Sequence, residues 1–114
     1  MRIAMPRGDI RYERFLVKNP DGTVADIDFD NVYFTVKKSP DDRIYLIQKS
    51  LQRGTIEKLA PGDYQFKIAS QDTSGMKYGK YIFDIQIEYR DVLKETYSGE
   101  FELLYEVTFP DESE

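Results

Sequence analysis

Asp26, Asp28 and Asp30 stand two residues apart and are followed by Asn31. That is how a calcium-binding loop begins, with alternate carboxylates offering oxygens to a hard cation. The rest of the loop is missing. Its sixth position is Asn31 where the sharp turn needs glycine, and its twelfth is Lys37 where a bidentate glutamate should close the site. The expectation is a polar loop leading into the strand at Val32, with no metal site. Arg7-Gly8-Asp9 is the tripeptide integrins read, but three residues recur by chance and here they read as a turn entering a strand. Glycoside hydrolysis needs only two carboxylates at a suitable separation. Among 21 acidic residues some pair always qualifies and nothing selects one. Histidine and cysteine are both absent, which removes the commonest general base, the thiolate nucleophile and the usual transition-metal ligands. The chain is expected to be no enzyme, with no catalytic residue and no cofactor.

Charge narrows the partners. With 16 basic residues against 21 acidic ones the net charge is -5, whereas non-specific nucleic-acid binding rests on a basic surface that releases counterions. No nucleic-acid partner is expected. No stretch approaches the roughly 18 apolar residues that span a bilayer, and Met1–Gly8 lacks the apolar run of a signal peptide. The expectation is synthesis in the cytoplasm, with no membrane partner.

The elements that must position any site are strands. Tyr81, Phe83, Ile85, Ile87 and Tyr89 alternate with Ile82, Asp84, Gln86 and Glu88, the period of a strand with one buried face. Phe101, Leu103, Tyr105, Val107 and Phe109 repeat the pattern, as do Val32-Phe34-Val36 and Tyr64-Phe66-Ile68. Ile10–Val17 changes phase, since Ile10 and Tyr12 share one face and Phe15 and Val17 the other, which predicts a β-bulge near Glu13–Arg14. Ile44–Ile47 is apolar throughout, and Ile56 with Leu59 reads as a short strand. Val92–Tyr97 reads as a partner of the strand before it through a turn at Arg90–Asp91. Asn19-Pro20-Asp21-Gly22, Ser39-Pro40-Asp41-Asp42 and Pro61-Gly62 are turn sequences. Gln71–Gly79 has room for one helical turn. Seven to nine short strands punctuated this way predict an antiparallel β-sandwich or barrel. Residues 1–109 read as one domain and 110–114 as an acidic tail.

Three segments carry a resemblance: Pro6-Arg7-Gly8-Asp9 with Asp21-Gly22, then Val32-Tyr33-Phe34-Thr35-Val36-Lys37-Lys38, then Gln71-Asp72-Thr73 followed by Tyr78-Gly79-Lys80-Tyr81-Ile82-Phe83-Asp84-Ile85-Gln86-Ile87, with Gly99-Glu100-Phe101 where the family has G-x-F. From about Pro6 to Thr108 the chain resembles the immunoglobulin-like N-terminal domain of phage baseplate upper proteins and related phage tail proteins. The resemblance implies an immunoglobulin-like sandwich and a non-enzymatic structural or adaptor subunit of a phage or prophage tail. It implies a place in the virion, other tail or baseplate proteins as partners, and a homo-oligomer. The long stalk of the receptor-binding members does not follow here, so the nearer expectation is a stand-alone adaptor or decoration subunit. Tyr33, Tyr45, Tyr78 and Tyr97 are the expected interface residues. The alternative is a carbohydrate-binding module that uses the same tyrosines as platforms for a cell-surface glycan.

Overall fold

The computed structural model describes residues 1–105. Among them are eight strands and one short helix: β1 Arg2–Pro6, β2 Arg11–Leu16, β3 Asn31–Lys37, β4 Ile47–Ser50, β5 Ile56–Ala60, β6 Asp63–Ile68, α1 Ser70–Thr73, β7 Gly79–Tyr89 and β8 Val92–Leu104. They form a β-sandwich. A five-stranded sheet runs β1-β8-β7-β3-β4 and a three-stranded sheet runs β2-β6-β5.

The period-2 segments do what alternation dictates. Val32, Phe34 and Val36 of β3, Tyr81, Phe83, Ile85 and Ile87 of β7, and Tyr64, Phe66 and Ile68 of β6 all turn into one shared core. The two sheets meet through aromatic rings. Phe34 of the large sheet stacks on Phe66 of the small one at 4.3 Å between centroids, and Phe83 and Phe15 flank the pair at 5.6 and 6.2 Å. Offset aromatic pairs of this kind add about 1 kcal/mol each beyond the area they bury. They cross-brace a sandwich that has no cysteine with which to form a disulfide.

Several expectations need correction. The register of β2 against β6 runs unbroken from Arg11↔Ile68 to Leu16↔Asp63, so there is no bulge at Glu13–Arg14. Ile10 and Tyr12 are simply apolar residues on the solvent side, both exposed. Val92–Tyr97 and the segment from Phe101 are one strand, β8, and the bulge lies there instead. Ile85 faces Tyr97 while Gln86 faces Glu95, which leaves Thr96 as the extra residue. Val107 and Phe109, at the far end of the Phe101–Phe109 pattern, lie outside the described residues, as do 110–114. The sheets are not wholly antiparallel, because β1 runs parallel to β8 from Arg2↔Glu100 to Pro6↔Leu104. Ile44 belongs to an exposed loop, and of the apolar run only Ile47 enters β4. The helical turn begins at Ser70, where Asp72 accepts the Ala69 N–H at 2.7 Å and pairs with Lys49 at the same distance.

Gly99 explains the G-x-F segment. A Cβ there would sit 1.8 Å from the Met1 carbonyl oxygen and 3.1 Å from the Phe83 ring. The parallel strand β1 begins directly over that position, so only glycine fits.

Candidate functional site

Strand register sorts the surface into two ends and an outer face. The ends of β1, β3 and β8 and the starts of β4 and β7 share one end of the large sheet, since Pro6 pairs with Leu104, Leu103 with Gly79, Lys37 with Ile82 and Val36 with Ile47. The opposite end carries the β7–β8 hairpin and the loop from Val17 to Asp30.

At the first end the Arg7 guanidinium lies over the Tyr78 ring at 4.3 Å, and Tyr105 stacks on the same ring at 4.1 Å. Two groups so close to one ring must take opposite faces, so the three form a ladder. Arg7 also donates to the Met76 carbonyl at 3.3 Å, and the Gly8 N–H donates to Thr73 Oγ1 at 2.9 Å. The Arg7-Gly8-Asp9 turn is thus docked on the α1–β7 connection, with its arginine committed within the chain. The β3–β4 loop at this end exposes Ile44, Tyr45 and Leu46 in succession, with Ile44 at 77%.

At the second end the hairpin turn places Arg90 and Asp91 at φ 51 and 66, the left-handed pair of a two-residue turn that matches strand twist. Non-glycine residues resist that conformation, and Asp30 holds it. Its Oδ2 accepts the Arg90 N–H at 2.8 Å while its own N–H donates to the Glu88 carbonyl at 2.8 Å. Asp28 pairs with Lys58 at 2.8 Å. Two of the three spaced aspartates therefore serve structure, and no group of three acidic side chains able to hold a cation occurs among the described residues. Phe29 packs edge-on against Tyr89 at 6.1 Å. Together with Ile87 and Val92 these rings wall a pocket of about 340 Å³, which Arg90 and Lys94 also line. Beside it Val92 and Leu93 are 64% and 54% exposed.

The outer face of the large sheet carries a more polar cleft of about 490 Å³, lined by Lys37, Pro40, Ile82, Asp84, Glu95 and Ser98 among others. Burial pushes the Asp84 carboxyl above its ordinary range, the negative charge of Glu95 adds to this, and Lys37 opposes it. The arrangement holds a proton more readily than a surface aspartate does.

The four tyrosines do not form one patch. Tyr45 and Tyr78 share the first end. Tyr33 lies half-buried on the outer face of β3, opposite Ser50 and Gln86. Tyr97 contradicts its expected exposure. It turns inward, half-buried, with its ring edge-on to Phe15 at 6.3 Å and its hydroxyl donating to the Leu16 carbonyl at 2.5 Å. The bulge at Thr96 sets that facing, and alternation counted from one end of β8 misses it. The hairpin-end pocket was also not anticipated. Its signal was an apolar pair, Val92-Leu93, directly after a predicted turn.

No protein-family model matches this chain, and comparisons with curated proteins and with solved structures return no match. Among the described residues, no helix is long and apolar enough to cross a membrane.

Proposed function

We propose that this chain is an immunoglobulin-like, non-enzymatic subunit that works by protein–protein assembly, as a structural or adaptor component of a phage or prophage tail of the baseplate type. Its partners are other tail proteins and further copies of itself, in the virion. The observation that carries the assembly reading is the hairpin end, where a preformed apolar pocket adjoins Val92 and Leu93, both exposed at the start of β8 beside the turn that Asp30 holds. Apolar surface beside a braced turn is suited to burial against another protein.

Strand order supports the immunoglobulin-like reading. The sheets β2-β6-β5 and β8-β7-β3-β4 follow the B-E-D and G-F-C-C′ orders of that fold. Tyr81, near the start of β7, donates its hydroxyl to the Lys77 carbonyl at 2.7 Å, the contact of a tyrosine corner. Phe83 stands two residues on, where antibody domains carry the second cysteine of their inter-sheet disulfide. The tail assignment rests on the sequence resemblance. Its test is mass spectrometry of phage particles purified from cells carrying the gene. Stoichiometric amounts of the chain are expected, and particles lacking it would exclude the virion role.

One observation favours carbohydrate binding as a second reading. Tyr105 is 70% exposed and is backed by the Tyr78–Arg7 ladder, which gives a stiff aromatic platform of the kind sugars stack on. Titration with host surface polysaccharide, using Tyr105→Ala as control, decides it. Equal heats for the two proteins would remove the platform from any glycan site.

A further inference from the structure

Among the described residues no strand pairs with the outer edge of β8 from Val92 to Glu95. β1 covers only Glu100–Leu104, and Val92, Leu93, Lys94 and Glu95 are all exposed. The apolar pocket of Phe29, Ile87, Tyr89 and Val92 opens beside that edge, with Arg90 and Lys94 as its cations.

Two copies of this edge are poorly suited to each other. In a symmetric antiparallel pair, residues directly opposite share a face. A two-fold axis at this stretch therefore falls on a residue: on Lys94 or Glu95 it opposes that charge to itself, on Leu93 it brings Asp91 opposite Glu95, and on Val92 it brings Arg90 opposite Lys94. Like charges directly opposite are destabilising, and the bulge at Thr96 further blunts the edge.

The chain carries a segment that fits better. In residues 105–109 Tyr105, Val107 and Phe109 alternate with Glu106 and Thr108, and Asp111, Glu112 and Glu114 follow. An apolar strand face followed by carboxylates complements an apolar pocket lined by Arg90 and Lys94. Geometry rules out the chain's own pocket. Twelve steps of about 3.3 Å along β8 separate Leu104 from Val92, roughly 40 Å. Phe109 lies five residues beyond Leu104 and reaches at most about 17 Å.

We propose that residues 106–114 of one copy dock on the hairpin-end pocket of a neighbouring copy. Phe109 and Val107 enter the apolar wall, the backbone adds to the Val92–Glu95 edge, and the acidic residues meet Arg90 and Lys94. This rests on the assembly reading above and specifies its contact. Such an interface is heterologous, with different surfaces on the two copies, and produces a closed ring or an open filament according to the rotation it imposes.

Light scattering of the full chain across a concentration series tests it, with far-UV circular dichroism as the check on folding. Mass is expected to rise with concentration. Phe109→Ala is expected to weaken association at least tenfold. So is the charge reversal Arg90→Glu/Lys94→Glu, and so is Asp111→Lys/Glu112→Lys. Combining the two reversals in one chain is expected to restore it. An oligomer indifferent to these variants would overturn tail docking and leave self-assembly standing. A monomer at every concentration would overturn both, while the virion role stays with the particle analysis. Loss of fold in Phe109→Ala would place that ring in its own core and overturn the proposal as well.

Discussion

Three tyrosine hydroxyls make a controlled experiment within one molecule. Tyr64 is wholly buried, its ring lies 5.6 Å from Phe15 and 6.5 Å from Phe29, and its hydroxyl has no hydrogen-bond partner among the described residues. Tyr81 and Tyr97 instead donate to the carbonyls of Lys77 and Leu16. Tyrosine to phenylalanine removes the same atom at each place and leaves the ring. A buried polar group left unpaired costs about 1–3 kcal/mol, whereas a made hydrogen bond contributes about 1 kcal/mol. The amides of Phe29 and Gly62 act weakly on the Tyr64 hydroxyl, less than its burial does, so the low end of the first range applies. Tyr64→Phe is therefore expected to stabilise the fold by about 1 kcal/mol, and Tyr81→Phe and Tyr97→Phe each to destabilise it by a similar amount. In melting temperature that is about 4 °C in each direction. Urea unfolding followed by far-UV circular dichroism measures it, since the chain has no tryptophan to report, and an unchanged slope with denaturant assigns the shift to stability. The pH dependence adds a second reading. Burial raises the Tyr64 phenol above its ordinary value of 10.0, so the unfolded chain ionises first and stability falls as pH climbs past that value. Tyr64→Phe should flatten that decline. A Tyr64→Phe protein destabilised as much as Tyr97→Phe would refute the argument, because it would mean the hydroxyl is satisfied.

Three other outcomes are expected. Arg90→Asn/Asp91→Gly relieves two left-handed residues and should raise stability by about 1 kcal/mol; no gain in thermal melting would mean that Asp30 already offsets the strain. Gly99→Ala drives a methyl into the Met1 carbonyl and the Phe83 ring and should cost about 1–3 kcal/mol, with amide exchange accelerating first in β1. Asp84→Asn removes a carboxylate whose folded-state pKa is raised. Such a group lowers stability once pH rises through that raised value. The variant should therefore be the more stable protein at pH 7, and the difference should close as pH falls through the carboxylate range. A gap that widens in acid would contradict the assigned cause.

The sequence by itself determined the strands with a clean period of 2. Alternation records which face is buried, and β3, β6 and the eleven residues of β7 each keep one phase from end to end. It also marked the turn at Arg90–Asp91, whereas the apolar run Ile44–Leu46 carried no readable phase and proved to be exposed loop. Facing failed wherever the phase carried no information. Ile10 and Tyr12 are apolar yet solvent-facing, and so imitated a bulge that β2 does not have. Thr96 is an ordinary strand residue in composition, yet it is the bulge that turns Tyr97 inward. The parallel docking of β1 was closed to sequence reading, because five residues of β1 meet a partner ninety-eight positions away through backbone hydrogen bonds that any side chains permit. Gly99 shows its purpose only once that strand lies over it. The hairpin-end pocket joins Phe29 to Ile87, Tyr89 and Val92 across nearly sixty residues of chain. Local pattern fixes a residue's face within its own strand. Which distant strands share an edge, and which apolar walls remain unfilled between them, is settled only by how the two sheets close on each other.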